Sequence, residues 1–309
     1  MKVEIDKPLD ISPDEENKLT MHSLYNIVGV IITILEFFRD ILENKQCMEK
    51  SISLCNTILY SFGDEGLTLN TLENLEKYKS IIREDVYETL ETSPNVLQQK
   101  LIQELLENLN DVFDVLDVRT REIMARLNAQ DPWVLFSVED FKKDIRNVLD
   151  AIVKNSMGRY GIVYDPQQQG SNNYLVELCV ESHDGKTILM PAIVQDCFRD
   201  LIANARKYTP PGGQIKASLV DDGSNIVITV SDTGRGIPEN EIAKVVEYGV
   251  RGSNTLKSET HGGGFGLTKA YYVCKQFKGR MWIDSDLGKG TIVTLCIPHI
   301  LPANKQFIR

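Results

Sequence analysis

The sequence predicts an α+β protein, with an all-helical N-terminal part followed by an α/β sandwich whose mixed sheet is covered by helices on one face. Up to about residue 128 the apolar residues recur at helical spacing, without a strand pattern. Beyond it, helical segments alternate with strand-like ones. The stretch "NAQDPW" (128–133) separates the two, because proline cannot continue a helix. The predicted domains are residues 1–130 and 131–309.

Two long apolar seams organise the helical part. The first begins at Met21 and steps by three or four residues along "MHSLYNIVGVIITILEFF". Ser12 and Glu15 provide an N-cap and a capping-box acid before it. The second seam spans residues 102–127, and two further helical candidates are inserted at about 48–92. This pattern predicts a four-helix unit, or a helical hairpin with an inserted helix pair.

The composition excludes several classes of function. The formal net charge is -10, so the protein lacks the positive electrostatic field that nucleic-acid binding requires. The six cysteines form no CxxC pair, which is typical of reduced thiols in a cytoplasmic protein. The longest apolar run, 27–35, is too short to span a membrane. We therefore expect a cytoplasmic protein without a membrane span or a nucleic-acid partner.

Four stretches of the α/β part combine glycines with polar residues. Asp200, Asn204 and Lys207 share one side of a predicted helix, where an amide oxygen and a lysine suit hydrated Mg²⁺ and the phosphates it bridges. Asp232 ends a predicted strand, and the two glycines after it let the backbone turn tightly beside a ligand. The glycines of 261–270 lead into a predicted helix and leave its first backbone N–H groups free to approach phosphate. The stretches are "DLIANARKYT" (200–209), "DTGRGIP" (232–238), "HGGGFGLTKA" (261–270) and "LGKGT" (287–291).

In this order, the four stretches resemble the N box and glycine boxes of the ATP-binding domain of sensor histidine kinases. That fold is shared with the DNA gyrase, mismatch-repair and chaperone ATPases. The resemblance covers about residues 137–300. It implies that the protein binds ATP and Mg²⁺.

The resemblance also implies roles for individual positions. Asn204 would coordinate Mg²⁺, and Lys207 would reach the phosphates. Asp232 would accept a hydrogen bond from the adenine amino group, and Arg251 would contact the γ-phosphate. The other implied cofactor-binding residues are Tyr208, beside the adenine; Gly234 and Gly236, in the floor of the site; Gly262, Gly264 and Gly266, in the ATP lid; Thr291, below the base; and Leu267.

One segment departs from the family pattern. In "KVVEYGVRGSN" (244–254), Val246 and Gly249 occupy positions where the family has aromatic residues. We therefore expect altered packing of the lid with nucleotide binding retained.

The stretch "HSLYNIV" (22–28) resembles the H box, whose histidine takes the phosphoryl group in the family. The resemblance implies that His22 is the phosphoacceptor and that Asn26 orients water for phosphatase action. Ser23 replaces the acid that usually follows the histidine. Asp200 occupies the place where some branches of the superfamily carry a catalytic carboxylate, so the base could lie in the N box.

These features predict an ATP-dependent histidine autokinase that forms a homodimer through its N-terminal helices. The phosphoryl group would pass from His22 to an aspartate in a response-regulator receiver domain. One alternative is a non-catalytic signalling scaffold, phosphotransferase or response-regulator phosphatase, which Ser23 and the altered segment favour. Another is a protein-serine kinase of the anti-sigma type, which would leave His22 unmodified.

Overall fold

The computed structural model confirms the predicted fold class, with helices first and a mixed α/β sheet after them. It divides the chain into two compact units. One is residues 11–129, and the other combines residues 1–10 with 130–309. The structure describes residues 1–92, 100–127, 132–154, 156, 158–255 and 264–299.

The first ten residues correct the predicted domain 1–130. Strand β1 (Lys2–Ile5) pairs antiparallel with β8 (Arg280–Asp286) in the sheet of the α/β unit. The Tyr271 hydroxyl also donates a hydrogen bond to the Lys7 carbonyl oxygen. A four-residue strand has little periodicity of its own, and its partner lies about 280 residues away. The local pattern therefore could not reveal this pairing.

The described helical unit contains the two long seam helices and three shorter helices between them. Asn74 is both the C-cap of one short helix and the N-cap of the next, so a segment predicted as one helix forms two. The helices are α1 (Pro13–Thr20), α2 (His22–Ile41), α3 (Glu49–Ser61), α4 (Glu65–Glu73), α5 (Leu75–Glu91) and α6 (Lys100–Leu127).

The first seam forms the core of the helical unit. Its residues Met21, Leu24, Val28, Ile31, Leu35 and Phe38 are at most 1% exposed. The capping box of Ser12 and Glu15 is present, but it starts α1, and a break at Met21 separates α1 from α2. In the described part of the chain, no single helix is long and apolar enough to cross a membrane. The pair α1–α2 passes that test only when joined, with a bend of 63°.

The α/β unit is built on a seven-stranded sheet in the described residues, with the order β1-β8-β9-β7-β6-β4-β3. The pairs β3–β4 and β4–β6 are parallel, and the other neighbours are antiparallel. Strands β2 and β5 form a separate two-stranded sheet, and β2 was not predicted. The remaining strands are β2 (Trp133–Ser137), β3 (Gly161–Val163), β4 (Asn173–Ser182), β5 (Thr187–Pro191), β6 (Gln214–Asp221), β7 (Asn225–Asp232) and β9 (Gly290–Pro298).

Three helices cover the buried face of this sheet. Burial alternates along β7, where Ile226, Ile228 and Val230 are at most 3% exposed and their neighbours are more accessible. This period of two places one face of the sheet against the core. The helices are α7 (Val138–Lys154), α8 (Ala192–Tyr208) and α9 (Phe265–Gln276). The end of β7, helix α8 and the start of α9 position the candidate site.

Candidate functional site

A cleft in the α/β unit collects most of the residues that the motifs predicted. Its lining includes Asn204 and Tyr208 from α8, Asp232 at the end of β7, and Thr291 from β9. The start of α9 and the loop that follows β7 complete it. The lining residues are Leu201, Asn204, Ala205, Tyr208, Val230, Asp232, Gly236, Ile237, Val245, Val250, Arg251, Gly252, Asn254, Thr255, Gly264, Gly266, Leu267, Thr291 and Val293.

The remaining predicted residues have different placements. Lys207 and Gly234 are not part of the lining. Gly262 lies outside the described residues. Asp200 is also absent from the lining and forms an ion pair with Lys269, with 2.7 Å between Nζ and Oδ2. His22 and Asn26 belong to the helical unit.

Asp232 supplies a carboxylate to the lining of the cleft. Its Oδ1 accepts a hydrogen bond of 2.8 Å from the backbone N–H of Gly234. Thr291 lies directly opposite Asp232 in the pairing of β7 with β9. Burial raises the pKa of Asp232 to about 6. The cleft therefore holds a largely desolvated acid that is ionised at neutral pH.

Gly236 allows the turn after β7 to lie against the end of β8. Its φ is +67°, and a Cβ at this position would lie 2.1 Å from the carbonyl oxygen of Asp286. Both the backbone conformation and the lack of space therefore require glycine here. The adjacent Ile237 N–H donates a 2.9 Å hydrogen bond to Ser285 Oγ, which fixes the turn.

Asn204 packs against the first turn of α9. A Cβ on Gly266 would lie 1.9 Å from Asn204 Nδ2, so any larger residue would displace the amide. The first backbone N–H groups of a helix lack partners within the helix and carry partial positive charge. The structure thus brings a side-chain amide to a helix N-terminus, an arrangement suited to phosphate and its metal ion.

Two cations lie near this end of the site. Arg251 lines the cleft, and its Nη2 donates a 3.0 Å hydrogen bond to the carbonyl oxygen of Thr255. Burial and the positive charges of Arg251 and Arg206 lower the pKa of Lys207 to about 8. Mutual repulsion between cations favours an anionic ligand beside them.

The segment that departs from the family pattern still contributes an aromatic residue. Tyr248 contacts Phe265, the first residue of α9, with 4.8 Å between ring centroids. Val246 is 1% exposed and belongs to the core. An aromatic contact between this segment and the start of α9 is therefore present, although Val246 and Gly249 are not aromatic.

The apolar walls of the cleft and two polar lining residues, Asn254 and Thr255, were not predicted from the sequence. Asn254 Nδ2 donates a 2.9 Å hydrogen bond to the Gly236 carbonyl oxygen, joining two walls of the cleft. Three of the apolar lining residues could have been identified from helical and strand periodicity, because each shares a face with a predicted site residue. Leu201 precedes Asn204 by three residues, Val230 precedes Asp232 by two, and Val293 follows Thr291 by two.

In the helical unit, His22 is the first residue of α2 and is partly exposed. Asn26, one turn later, places its Nδ2 3.2 Å from His22 Nε2. An amide nitrogen can only donate, so this contact assigns the lone pair to Nε2. Ser23 Oγ is buried and has no hydrogen-bond partner within the described residues, so it makes no hydrogen bond to the imidazole.

Comparison with known proteins adds to this geometry. Residues 190–300 match the family described as histidine kinase-, DNA gyrase B-, and HSP90-like ATPase. The matched segment contains α8, the end of β7, the start of α9 and the final two strands, and so it includes most of the cleft.

Among curated proteins, the chain resembles sensor kinases. It is 37% identical over 109 residues to adaptive-response sensory kinase SasA of Synechococcus sp. (strain JA-3-3Ab), covering 35% of this chain and 28% of that protein. It is 34% identical over 102 residues to sensor histidine kinase WalK of Bacillus subtilis (strain 168), covering 32% of this chain and 17% of that protein. The chain thus aligns with less than a third of the length of either relative.

A third relative aligns over more of the chain. Autoinducer 2 sensor kinase/phosphatase LuxQ of Vibrio vulnificus (strain YJ016) is 26% identical over 258 residues, which covers 76% of this chain and 30% of that protein. Among solved structures, the catalytic domain of histidine kinase ThkA matches with a TM-score of 0.39 and 16% identity, covering 54% of this chain and 97% of that one.

Proposed function

We propose that the protein is an ATP-dependent histidine autokinase. It binds Mg-ATP in the cleft, transfers the γ-phosphoryl group to its own His22, and passes that group to an aspartate in a response-regulator receiver domain. The observation that carries this proposal is the gathering of an acid, an amide, a cation and a helix N-terminus in the lining of one cleft. Asp232, Asn204 and Arg251 all line it, together with Gly264 and Gly266 at the start of α9.

The part of the lining formed by Asp232 and its apolar neighbours suits the base of a nucleotide. The carboxylate can accept a hydrogen bond from the exocyclic amino group of adenine, while the apolar walls contact the ring faces. Leu201, Val230 and Val293 provide such walls. Guanine presents a carbonyl oxygen where adenine has the amino group, and a carboxylate cannot donate to it. The same residues therefore favour ATP over GTP.

The part of the lining at the start of α9 suits the phosphates. Backbone N–H groups at the start of α9 and the guanidinium of Arg251 can donate to phosphate oxygens. The donor set fits magnesium, because Asn204 offers an amide oxygen next to the position of the phosphates and Mg²⁺ keeps most of its ligands as water and phosphate. Asn204 would hold this ion, which when bound neutralises phosphate charge.

His22 is the proposed acceptor of the phosphoryl group. Its Nε2 carries the lone pair beside Asn26, so it can attack the γ-phosphorus directly once Asn26 moves aside. The bond from that phosphorus to the ADP oxygen breaks, a nitrogen–phosphorus bond forms, and the Nδ1 proton passes to water. The alignment with LuxQ supports a role for the helical unit, because it covers more residues than the α/β unit contains.

Phosphotransfer to a receiver domain and dimerisation through the helices are also part of the proposal. Their support is the resemblance to proteins named sensor kinases and the two long seam helices of the helical unit. The absence of an acid after His22 leaves the scaffold, phosphatase and serine-kinase functions as defined alternatives.

The test is incubation of the purified protein with γ-labelled Mg-ATP. Wild type is compared with His22→Ala and Asn204→Ala, and with the matched controls His183→Ala and Asn172→Ala, which change exposed residues of the same types. We expect label that is lost in acid and that only the His22 and Asn204 substitutions remove.

Other outcomes identify the alternatives. Acid-stable label on an added partner, unaffected by His22→Ala, would indicate a serine kinase. No label in a wild-type protein that binds ATP would indicate a scaffold or a phosphatase.

A further inference from the structure

Lys269 is a buried cation outside the cleft. It lies on α9 with 0% exposure, and its Nζ is 2.7 Å from Oδ2 of Asp200 on α8. The Asp200 side chain is 15% exposed. A buried charge of this kind requires a partner, because desolvation strongly disfavours an isolated ion. The pair therefore fixes how these two helices meet.

The ion pair lies one helical turn from the contact between Asn204 and Gly266. Asn204 follows Asp200 by four residues on α8, and Gly266 precedes Lys269 by three on α9. Residues three or four apart lie on the same face of a helix. The two contacts are thus consecutive along a single interface, in which the helices run in opposite directions.

We infer that the Asp200–Lys269 ion pair is a positioning device that sets the register of α9 on α8 and thereby holds Asn204 at the start of α9. This inference rests on the proposed function, since it assigns Lys269 a role in binding the phosphates and magnesium of ATP. Lys269 acts through Asn204 and the start of α9 and does not touch the ligand.

The geometry explains why a specific contact is needed. Moving α9 by one residue along its axis shifts it by about 1.5 Å and turns its side chains by about 100°. Gly266 would then leave Asn204, and Phe265 or Leu267 would take its place against the amide. Apolar packing between helices tolerates such shifts more readily than a charged pair does, because one position alone brings the two charges together.

The ion pair also bears on the role of Asp200. A general base must come within hydrogen-bond reach of the proton that it removes. Asp200 does not line the cleft, and its Oδ2 is occupied by Lys269. Positioning therefore accounts for an acid at this place without a proton transfer.

The test compares the affinities for Mg-ATP and for adenosine in Lys269→Met, Asp200→Asn and the double variant. Loss of a residue that orients a metal ligand typically costs about 10- to 100-fold in metal-dependent binding. We expect each single variant to weaken Mg-ATP binding by about tenfold or more, with adenosine affinity unchanged. The double variant should be no weaker than the single ones, because both remove the same contact.

The matched control is Lys79→Met in the helical unit. Lys79 is also a buried lysine, 3% exposed, and it donates to Asp117 of α6. Its substitution should lower stability while leaving both affinities unchanged. Calorimetric titration measures the affinity of the folded molecules, so the affinity of a less stable variant can still be determined.

Three outcomes would overturn the inference. The first is unchanged Mg-ATP affinity in Lys269→Met. The second is a loss of turnover in Asp200→Asn at unchanged Mg-ATP affinity with Lys269→Met still active, which would identify Asp200 as a base. The third is a wild-type protein that binds no Mg-ATP, which would overturn the proposed function as well and is recognised before any variant is made.

Discussion

The cleft and the surroundings of His22 differ in how many independent features define them. The cleft joins four separated stretches of chain, and each stretch places at least one motif residue in its lining. The His22 region is a single helical turn, in which His22 contacts Asn26. An accidental match to four stretches would not bring their residues together in space. The proposed ATP site therefore has stronger support than the proposed phosphoacceptor.

One glycine from each region shows a similar contrast in how closely its surroundings are packed. Gly266 lies where a Cβ would be 1.9 Å from the amide of Asn204, whereas Gly29 in α2 has no heavy atom within 4 Å of that position. A glycine in a functional contact has no substitute, but one on an open helix face can be replaced. The following predictions test this contrast, starting with the largest effect.

Gly266→Ala should slow phosphorylation of His22 by about 100-fold, because the added methyl group displaces Asn204 from the phosphate end, and small displacements of positioning groups have effects of this size. The control is Gly170→Ala, where the nearest heavy atom to the new Cβ would be 3.9 Å away. Initial rates of labelling measure both. Equal rates in the two variants would contradict the arrangement of Asn204 and α9 described above.

The affinity for adenosine should fall up to about tenfold between pH 7 and pH 5. Burial raises the pKa of Asp232 to about 6, so the carboxylate that accepts from the amino group is protonated at the lower pH. Adenosine carries no phosphate and so introduces no titration of its own in this range. Asp232→Asn should remove the pH dependence of adenosine affinity. If the pH dependence persists in this variant, it arises from a different titrating group.

Asn26→Ala should increase the rate of labelling by about two- to tenfold, since it removes a hydrogen bond of about 0.5–1.5 kcal/mol from the attacking nitrogen of His22. Mg-ATP affinity should not change. Asn56→Ala, at an exposed asparagine of α3, is the control. A slower rate would instead show that Asn26 holds the imidazole in its reactive orientation.

Gly29→Ala should stabilise the helical unit by about 1 kcal/mol, because alanine loses less conformational entropy than glycine in a helix and no neighbouring atom obstructs it. Denaturant unfolding measures this difference. Labelling should remain at the wild-type rate. A destabilised variant would indicate that this face of α2 is covered by another surface in solution.

Features that depend on nearby residues could be predicted from the sequence. The first seam is buried as its spacing predicts, and the capping box at Ser12 forms. Strands β4, β8 and β9 coincide with the segments that alternate in polarity. These elements are determined by periods of 3.6 and 2, which are visible within a short window.

Features that depend on distant partners could not be predicted. The contact of Asp200 with Lys269 joins residues 69 positions apart, and neither residue is unusual in its own helix. The break at Met21 has no proline or glycine to mark it, so the seam continues through it unchanged. The contact of Tyr248 with Phe265 joins residues 17 positions apart, and the motif pattern expects aromatic residues at positions 246 and 249 instead.

The pairing of β1 with β8 changes how the helical unit is attached to its neighbour. The chain crosses between the units twice, near residues 10 and 130, so the helical unit is an insertion within the α/β unit. An insertion held at both ends has no single hinge, and any movement must be accommodated by two backbone segments together. A fragment that starts at residue 130 would also expose the free edge of β8, with unpaired backbone groups available to a strand from another molecule.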